Sequence, residues 1–168
     1  MLDVPAVASA AIARFPGARY TVIGHSGGGS WIGLSEQAEH VDRCVMIACQ
    51  YGWWRLWPVR LWPWAVSTFL VALPLSVRLR GYFPGSLFGM ADMAPGVALE
   101  WYRWVRGPIY MCDDDGQPLR PFFAKMCAPV LALSFSDDRL APEAAVNALL
   151  DLYPNASSRE HQVRTPSH

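Results

Sequence analysis

The chain has 168 residues, 52% hydrophobic and 17% charged, with fourteen basic side chains against fourteen acidic ones. That length suits one ordinary domain able to bury roughly 70% of its unfolded surface. A balanced charge with no basic stripe leaves no field to draw in nucleic acid, so no nucleic-acid partner is expected.

In chain order, residues 4–14 place Val4, Val7, Ala8, Ala11 and Ile12 on one face of an amphipathic helix, with Asp3 as its N-cap and Gly17 in the turn beyond. "RYTVIG" (19–24) predicts a short buried strand, and a helix of small residues follows Ser26 to about Leu34. Apolar runs of strand length recur at 41–50, "VDRCVMIACQ", and 128–136, "APVLALSFS". "PEAAVNALLDLYP" (142–154) reads as a helix with Pro142 in its first turn, and "SSREHQV" (157–163) as a final strand. This alternation predicts an α/β fold, a mostly parallel sheet wound with crossover helices, whose core is residues 1–50 and 128–168.

Residues 51–127 differ in character and read as an inserted helical cap. They hold seven of the eight tryptophans and a helix at 95–106, "PGVALEWYRWVR", stopped by Gly107-Pro108. "LWPWAVSTFLVALPLSV" (61–77) carries no charge and is bracketed by Arg60 and Arg78. Pro63 and Pro74 are expected to interrupt it, leaving a piece about half the roughly 20 residues of a bilayer crossing. An interfacial or lid helix is therefore expected in preference to a span. "DDDGQP" (113–118) reads as a solvated turn, since no ligand spacing accompanies its three carboxylates.

"TVIGHSGGGSWIG" (21–33) surrounds one hydroxyl with glycines. A phosphate loop would need lysine where Ser30 stands, and Lys125 is the only lysine in the chain. The dinucleotide pattern G-x-G-x-x-G finds no register either. G-x-S-x-G is satisfied by Gly24-His25-Ser26-Gly27-Gly28, after a predicted strand and before a predicted helix. That is the setting of a nucleophile elbow, in which the residues two before and two after the serine must not collide with strand or helix. The helix N-terminus would then place positive dipole beneath a developing oxyanion.

Here the chain resembles the α/β-hydrolases, and within them predicted hydrolases related to the serine aminopeptidase group. The resemblance runs from "LDVPAVASAAIARFPGARYTVIGHSGGG" through "ACQYGWWRLWP", "GYFPG" and "GVALEWYRWVR" to "LALSFSDDRLAPEAAVNALL". It implies Ser26 as nucleophile, the amide of Gly27 as one oxyanion-hole donor, and 51–127 as the lid. It also implies an acid in "FSDDRLAP": Asp138, four residues before Pro142, with Asp137 as the alternative and a solvated turn as the bland reading. The base must follow the acid, which leaves His161 and His168. His161 falls inside the predicted last strand and reads as structural, so His168 is the candidate, although no "GHF"-like motif surrounds it. His25 and His40 are assigned no role.

The resemblance also implies a half-sheet before the elbow, whose early loop supplies a second oxyanion donor, and this sequence opens on the helix just before the nucleophile strand. The expectation is a partial α/β-hydrolase fold, truncated at both ends, with a free sheet edge that invites association. Complete, it would hydrolyse an ester, thioester or amide through an acyl-enzyme, without metal or organic cofactor, on a small-molecule, apolar acyl substrate; with the base and the N-terminal oxyanion loop not evident, an inactive fragment is the expectation held beside it. The alternative is a non-catalytic binding or membrane-peripheral module using the Trp-rich cap. Cys44, Cys49, Cys112 and Cys127 show no C-x-x-C spacing, and "MLDVPAVASAAIARF" is no signal peptide, its basic residues following the apolar part. Free thiols and a cytoplasmic location are expected.

Overall fold

A computed structural model of the chain describes residues 3–164. Its main elements are α1 (Asp3–Arg14), β1 (Tyr20–His25), α2 (Gly27–Ser30), β2 (Val41–Ile47), α3 (Trp62–Ala65), α4 (Leu73–Arg80), α5 (Pro95–Arg106), β3 (Val130–Phe135), α6 (Glu143–Leu150) and β4 (Ser158–Val163). They fall into two compact units, one of Met1–Tyr51 with Leu119–His168 and one of Gly52–Pro118.

The first unit is built on a sheet in the order β1-β2-β3-β4, with every neighbouring pair parallel. All four carboxyl ends therefore lie along one edge of the sheet. Register follows side-chain alternation, because a slip of one residue would exchange the two faces. Val22, Cys44 and Val130 align across β1, β2 and β3, as do Gly24, Met46 and Ala132. Cys44, Met46, Val130 and Ala132 are buried, together with Ala145, Val146, Leu149 and Leu150 of α6. The opposite face is apolar too, yet Ile23 is 69% and Leu131 37% exposed, and Val45, Ile47, Leu133 and Phe135 are half-buried. Parallel sheets ordinarily bury both faces, so this face is open to an unusual degree.

Several expected boundaries shift, each for a local reason. The strand expected over 41–50 stops at Ile47 because Ala48 turns into the left-handed region at φ 50°. The helix expected to reach 154 ends at Leu150, where the amides of Leu152 and Tyr153 bond back three residues to Leu149 and Leu150, and Pro154 follows. The segment after Ser26 is one α-helical turn, Gly27–Ser30, followed by a 3₁₀ turn at Ile32–Leu34, and not a continuous helix. Three consecutive glycines disfavour helix by about 1 kcal/mol each. The apolar face of α1 is not buried: Val7 is 69% exposed, and Val4, Val7, Ala8, Ala11 and Ile12 line an open groove of about 450 Å³ with Tyr20, Val22, Ile32 and Val41. That groove lies beside β1, an edge strand of the sheet.

The second unit is held by aromatic rings. Phe69 lies 5.5 Å from both Trp57 and Trp64 and 6.1 Å from Trp101, centroid to centroid. The indole of buried Trp104 donates to the carbonyl of Cys112 at 2.9 Å. The prolines do not interrupt the apolar stretch as expected, since Val59–Arg80 is one helix of 22 residues. Pro63 sits in the first turn of α3, where its missing N–H leaves no bond unmade. Before Pro74 the helix widens into a π segment, Val66–Ala72, and the amide of Leu73 donates to the carbonyl of Thr68, five residues back. The wider turn carries the helix past a residue that cannot donate. Asp113 closes the expected turn, its Oδ1 accepting from the amides of Asp115 and Gln117, and Asp114 is ion-paired with Arg103.

Candidate active site

β1 ends at His25, α2 begins at Gly27, and Ser26 alone makes the bend between them. Its φ of 52° and ψ of −132° lie outside the regions that side chains ordinarily occupy. The bend is held on both sides: the Ser26 amide donates to the carbonyl of Ile47 in β2 at 2.9 Å, and the Ser26 carbonyl accepts from the amides of Gly29 and Ser30. The Ser26 side chain is half-buried and does not cap α2.

The bend brings strand and helix closer than a side chain allows. A Cβ on Gly24 would fall 2.3 Å from the Cα of Gly29. One on Gly29 would fall 2.5 Å from the Sγ of Cys49. The close approach is thus between Gly24 and Gly29, and the expected role of Gly28 is corrected, since a Cβ there meets nothing within 4 Å. Sequence reasoning had no way to prefer the third glycine of the run over the second, because the choice depends on where Cys49 packs.

Among the described residues the amide of Gly27 donates to no carbonyl, as expected of a first helical residue. The dipole assistance expected beneath it is small, because α2 is a single turn. Behind the turn, the Ser30 hydroxyl donates to the carbonyls of Ser26 and Gln50, and the Tyr153 hydroxyl donates to the Ser30 carbonyl while accepting from the Gly33 amide. Tyr153 thereby ties the elbow to the end of α6, a link between residues too far apart in sequence for any local pattern to disclose.

Asp138 lies just past the carboxyl end of β3 and is half-buried. Its Oδ1 accepts from the amides of Leu140 at 2.8 Å and Ala141 at 3.0 Å, which fixes the carboxylate and leaves Oδ2 without a backbone partner among the described residues. Asp137 beside it is exposed. Ser26 and Asp138 therefore leave the same edge of the sheet two strands apart, a lateral step of about 10 Å. An imidazole with a hydrogen bond of about 2.8 Å at each nitrogen fits an interval of that order.

Of the histidines, His161 pairs opposite Leu133 within β4 and is exposed, while His25 and His40 are also exposed. His168 lies outside the described residues. Two buried thiols flank the elbow strand. Burial pushes Cys44 up to about 12, with Cys49 adding to the effect, and burial pushes Cys49 up to about 11 against hydrogen bonds that lower it. Neither is a nucleophile at neutral pH. Among the described residues no three His, Cys, Asp or Glu side chains gather in a group able to hold a metal ion.

No family model matches the chain, and no curated protein matches it. Among solved structures it is similar to the monoacylglycerol lipase of Paleococcus ferrophilus, at 12% identity and a TM-score of 0.54 over 96% of this chain and 64% of the lipase. It is similar to an esterase of Pyrococcus furiosus, at 16% identity and a TM-score of 0.50 over 97% of this chain and 53% of the esterase. An alpha/beta hydrolase from Sphaerobacter thermophilus aligns at 19% identity and a TM-score of 0.48 over 99% of this chain and 66% of that one. At such identities the likeness is one of fold.

Proposed function

We infer, for a chain that has the α/β-hydrolase fold and spans 64% of the length of the lipase it resembles, that it descends to acyl-transfer chemistry with Ser26 as nucleophile. The observation that carries this reading is the backbone of Ser26, a residue with a side chain held at φ 52° between a strand and a helical turn. A glycine would relieve that strain, so the presence of a serine there points to a use for its hydroxyl. Asp138 supports the reading from the same edge of the sheet, with one oxygen fixed by two amides.

In the reaction Ser26 Oγ attacks the carbonyl carbon of an ester, thioester or amide while a histidine takes its proton. His168, beyond β4, is the candidate by chain order. Asp138 holds the imidazole in one tautomer and stabilises its cation, and the Gly27 amide donates to the oxyanion. The histidine then protonates the leaving group, and water, activated by the same histidine, releases the acyl group. The monoacylglycerol lipase and esterase among the similar structures, and the tryptophans of residues 51–127, favour a small apolar acyl substrate. A fluorophosphonate probe tests the reading. Labelling that is lost in Ser26→Ala supports it, and a wild-type chain that is folded but unlabelled overturns it.

A further inference from the structure

The helix Val59–Arg80 of the second unit has an inner and an outer face, and both are apolar. Ala65, Thr68, Phe69 and Leu73 are buried, Phe69 against the rings of Trp57, Trp64 and Trp101. On the outside, Val71, Leu75 and Leu79 recur every fourth residue and are 55%, 50% and 73% exposed. That spacing puts them in one row along the helix. Tyr82, 41% exposed, and Leu87, 71% exposed, follow the helix end. A surface helix in water carries polar residues on that side.

Charge is distributed with the same bias. From Arg43 to Ala91 the sequence contains no aspartate or glutamate, while Arg55, Arg60, Arg78 and Arg80 fall in the part belonging to the second unit. Arg60, Arg78 and Arg80 are exposed and stand at the two ends of the helix. The acids of this unit lie beyond the helix in sequence: Asp92 accepts from the Ser86 amide, Asp114 pairs with Arg103, Asp113 closes its own turn, and Asp115 is exposed in that same turn. Glu100 is half-buried on α5.

We propose that this helix docks in the plane of an anionic lipid surface, with Val71, Leu75 and Leu79 entering the acyl boundary and Arg60, Arg78 and Arg80 meeting lipid phosphates. Its length of 22 residues and its apolar composition would also suit a crossing. The buried row argues for the in-plane arrangement, because a crossing helix would have to strip Phe69 from the rings that cover it and expose Leu73. Arginines at both ends lie level with headgroups when the helix is parallel to the surface, and each adds affinity only where the lipid is negative.

The test is cosedimentation with vesicles of pure phosphatidylcholine and of phosphatidylcholine containing a third phosphatidylglycerol. The wild-type chain is expected to partition at least tenfold more strongly onto the anionic vesicles, and to be released by 0.5 M salt. Leu79→Gln and the double variant Leu75→Gln/Leu79→Gln are expected to lose binding tenfold or more. Arg78→Gln/Arg80→Gln is expected to lose only the preference for phosphatidylglycerol. All of these positions are exposed, and circular dichroism checks that the variants stay folded. Equal partitioning onto the two vesicle types, binding unchanged in both variant sets, or resistance to extraction at high pH as for a spanning protein would each overturn the proposal. Ser26→Ala is expected to bind like wild type, which separates this result from the outcome of the labelling experiment.

Discussion

Gly24 and Gly29 face each other across the elbow so closely that a Cβ on the first would lie 2.3 Å from the Cα of the second. The obstacle is backbone, which cannot rotate aside. Gly24→Ala is therefore expected to lower stability by about 2 kcal/mol or more, in the range of overpacked sites. Gly28→Ala, with nothing within 4 Å, is expected to be neutral or to stabilise by up to about 1 kcal/mol through helix propensity. Urea midpoints for the two variants measure the contrast, and equal losses would contradict the assignment.

Ser26 offers a second contrast, between stability and reactivity. Its φ of 52° strains any residue with a Cβ. Ser26→Gly should raise the unfolding midpoint by the equivalent of about 1 kcal/mol while abolishing fluorophosphonate labelling. Ser26→Ala should abolish labelling with little gain in stability. A destabilised Ser26→Gly would show that the hydroxyl makes contacts worth more than the strain.

Asp138 separates two duties of one carboxylate. Oδ1 holds the loop through the amides of Leu140 and Ala141, and Asp138→Asn keeps an oxygen for them. That variant should fold normally yet lose activity by about 10⁴-fold, because an amide no longer selects the productive tautomer. Asp138→Ala should lose the same activity and in addition about 1–2 kcal/mol of stability. Asp137→Ala should change neither, and His168→Ala, in contrast to His161→Ala, should match Asp138→Asn in turnover.

The thiols predict the response to alkali. Unfolded cysteines release their protons near 9.0, whereas burial holds Cys49 protonated to about 11 and Cys44 to about 12. The native state thus keeps protons that the unfolded chain gives up, so this contribution to stability is complete below pH 9 and drains away as pH rises toward 12. Midpoints taken between pH 8.5 and 10.5 should fall, and Cys44→Ala should fall less steeply. Iodoacetamide at pH 8 should label the exposed Cys127 in the native chain and all four cysteines in urea.

The parallel sheet and the strand-to-helix bend at Ser26 were legible because their signals are local. Apolar runs of strand length, a serine among glycines and a proline opening α6 each depend on a few neighbouring residues. What escaped was set by partners distant in sequence. Cys49 decides that Gly29 carries the close contact, and Tyr153 braces Ser30 and Gly33. Val7 belongs to a well-patterned apolar face that ends up 69% exposed, because periodicity says which side of a helix is apolar and not whether anything covers it. Pro74 read as a breaker, yet a π segment bypasses it, and no rule of spacing anticipates that repair. The proposed base rests on chain order alone, and His168 lies outside the described residues.

The pairing of β2 with β3 joins Cys44 to Val130 and Met46 to Ala132 across the whole of the second unit. During synthesis at about 5–20 residues per second, β1 and β2 wait on the order of ten seconds before the third strand leaves the ribosome. The bend at Ser26 can form early, because its bonds reach no farther than Ile47 and Ser30, but the loop carrying Asp138 arrives only after the insertion. A nascent two-stranded ribbon with apolar faces is therefore the species most exposed to wrong partners, and early collapse of the Trp-rich insertion shortens the effective distance that β3 must close.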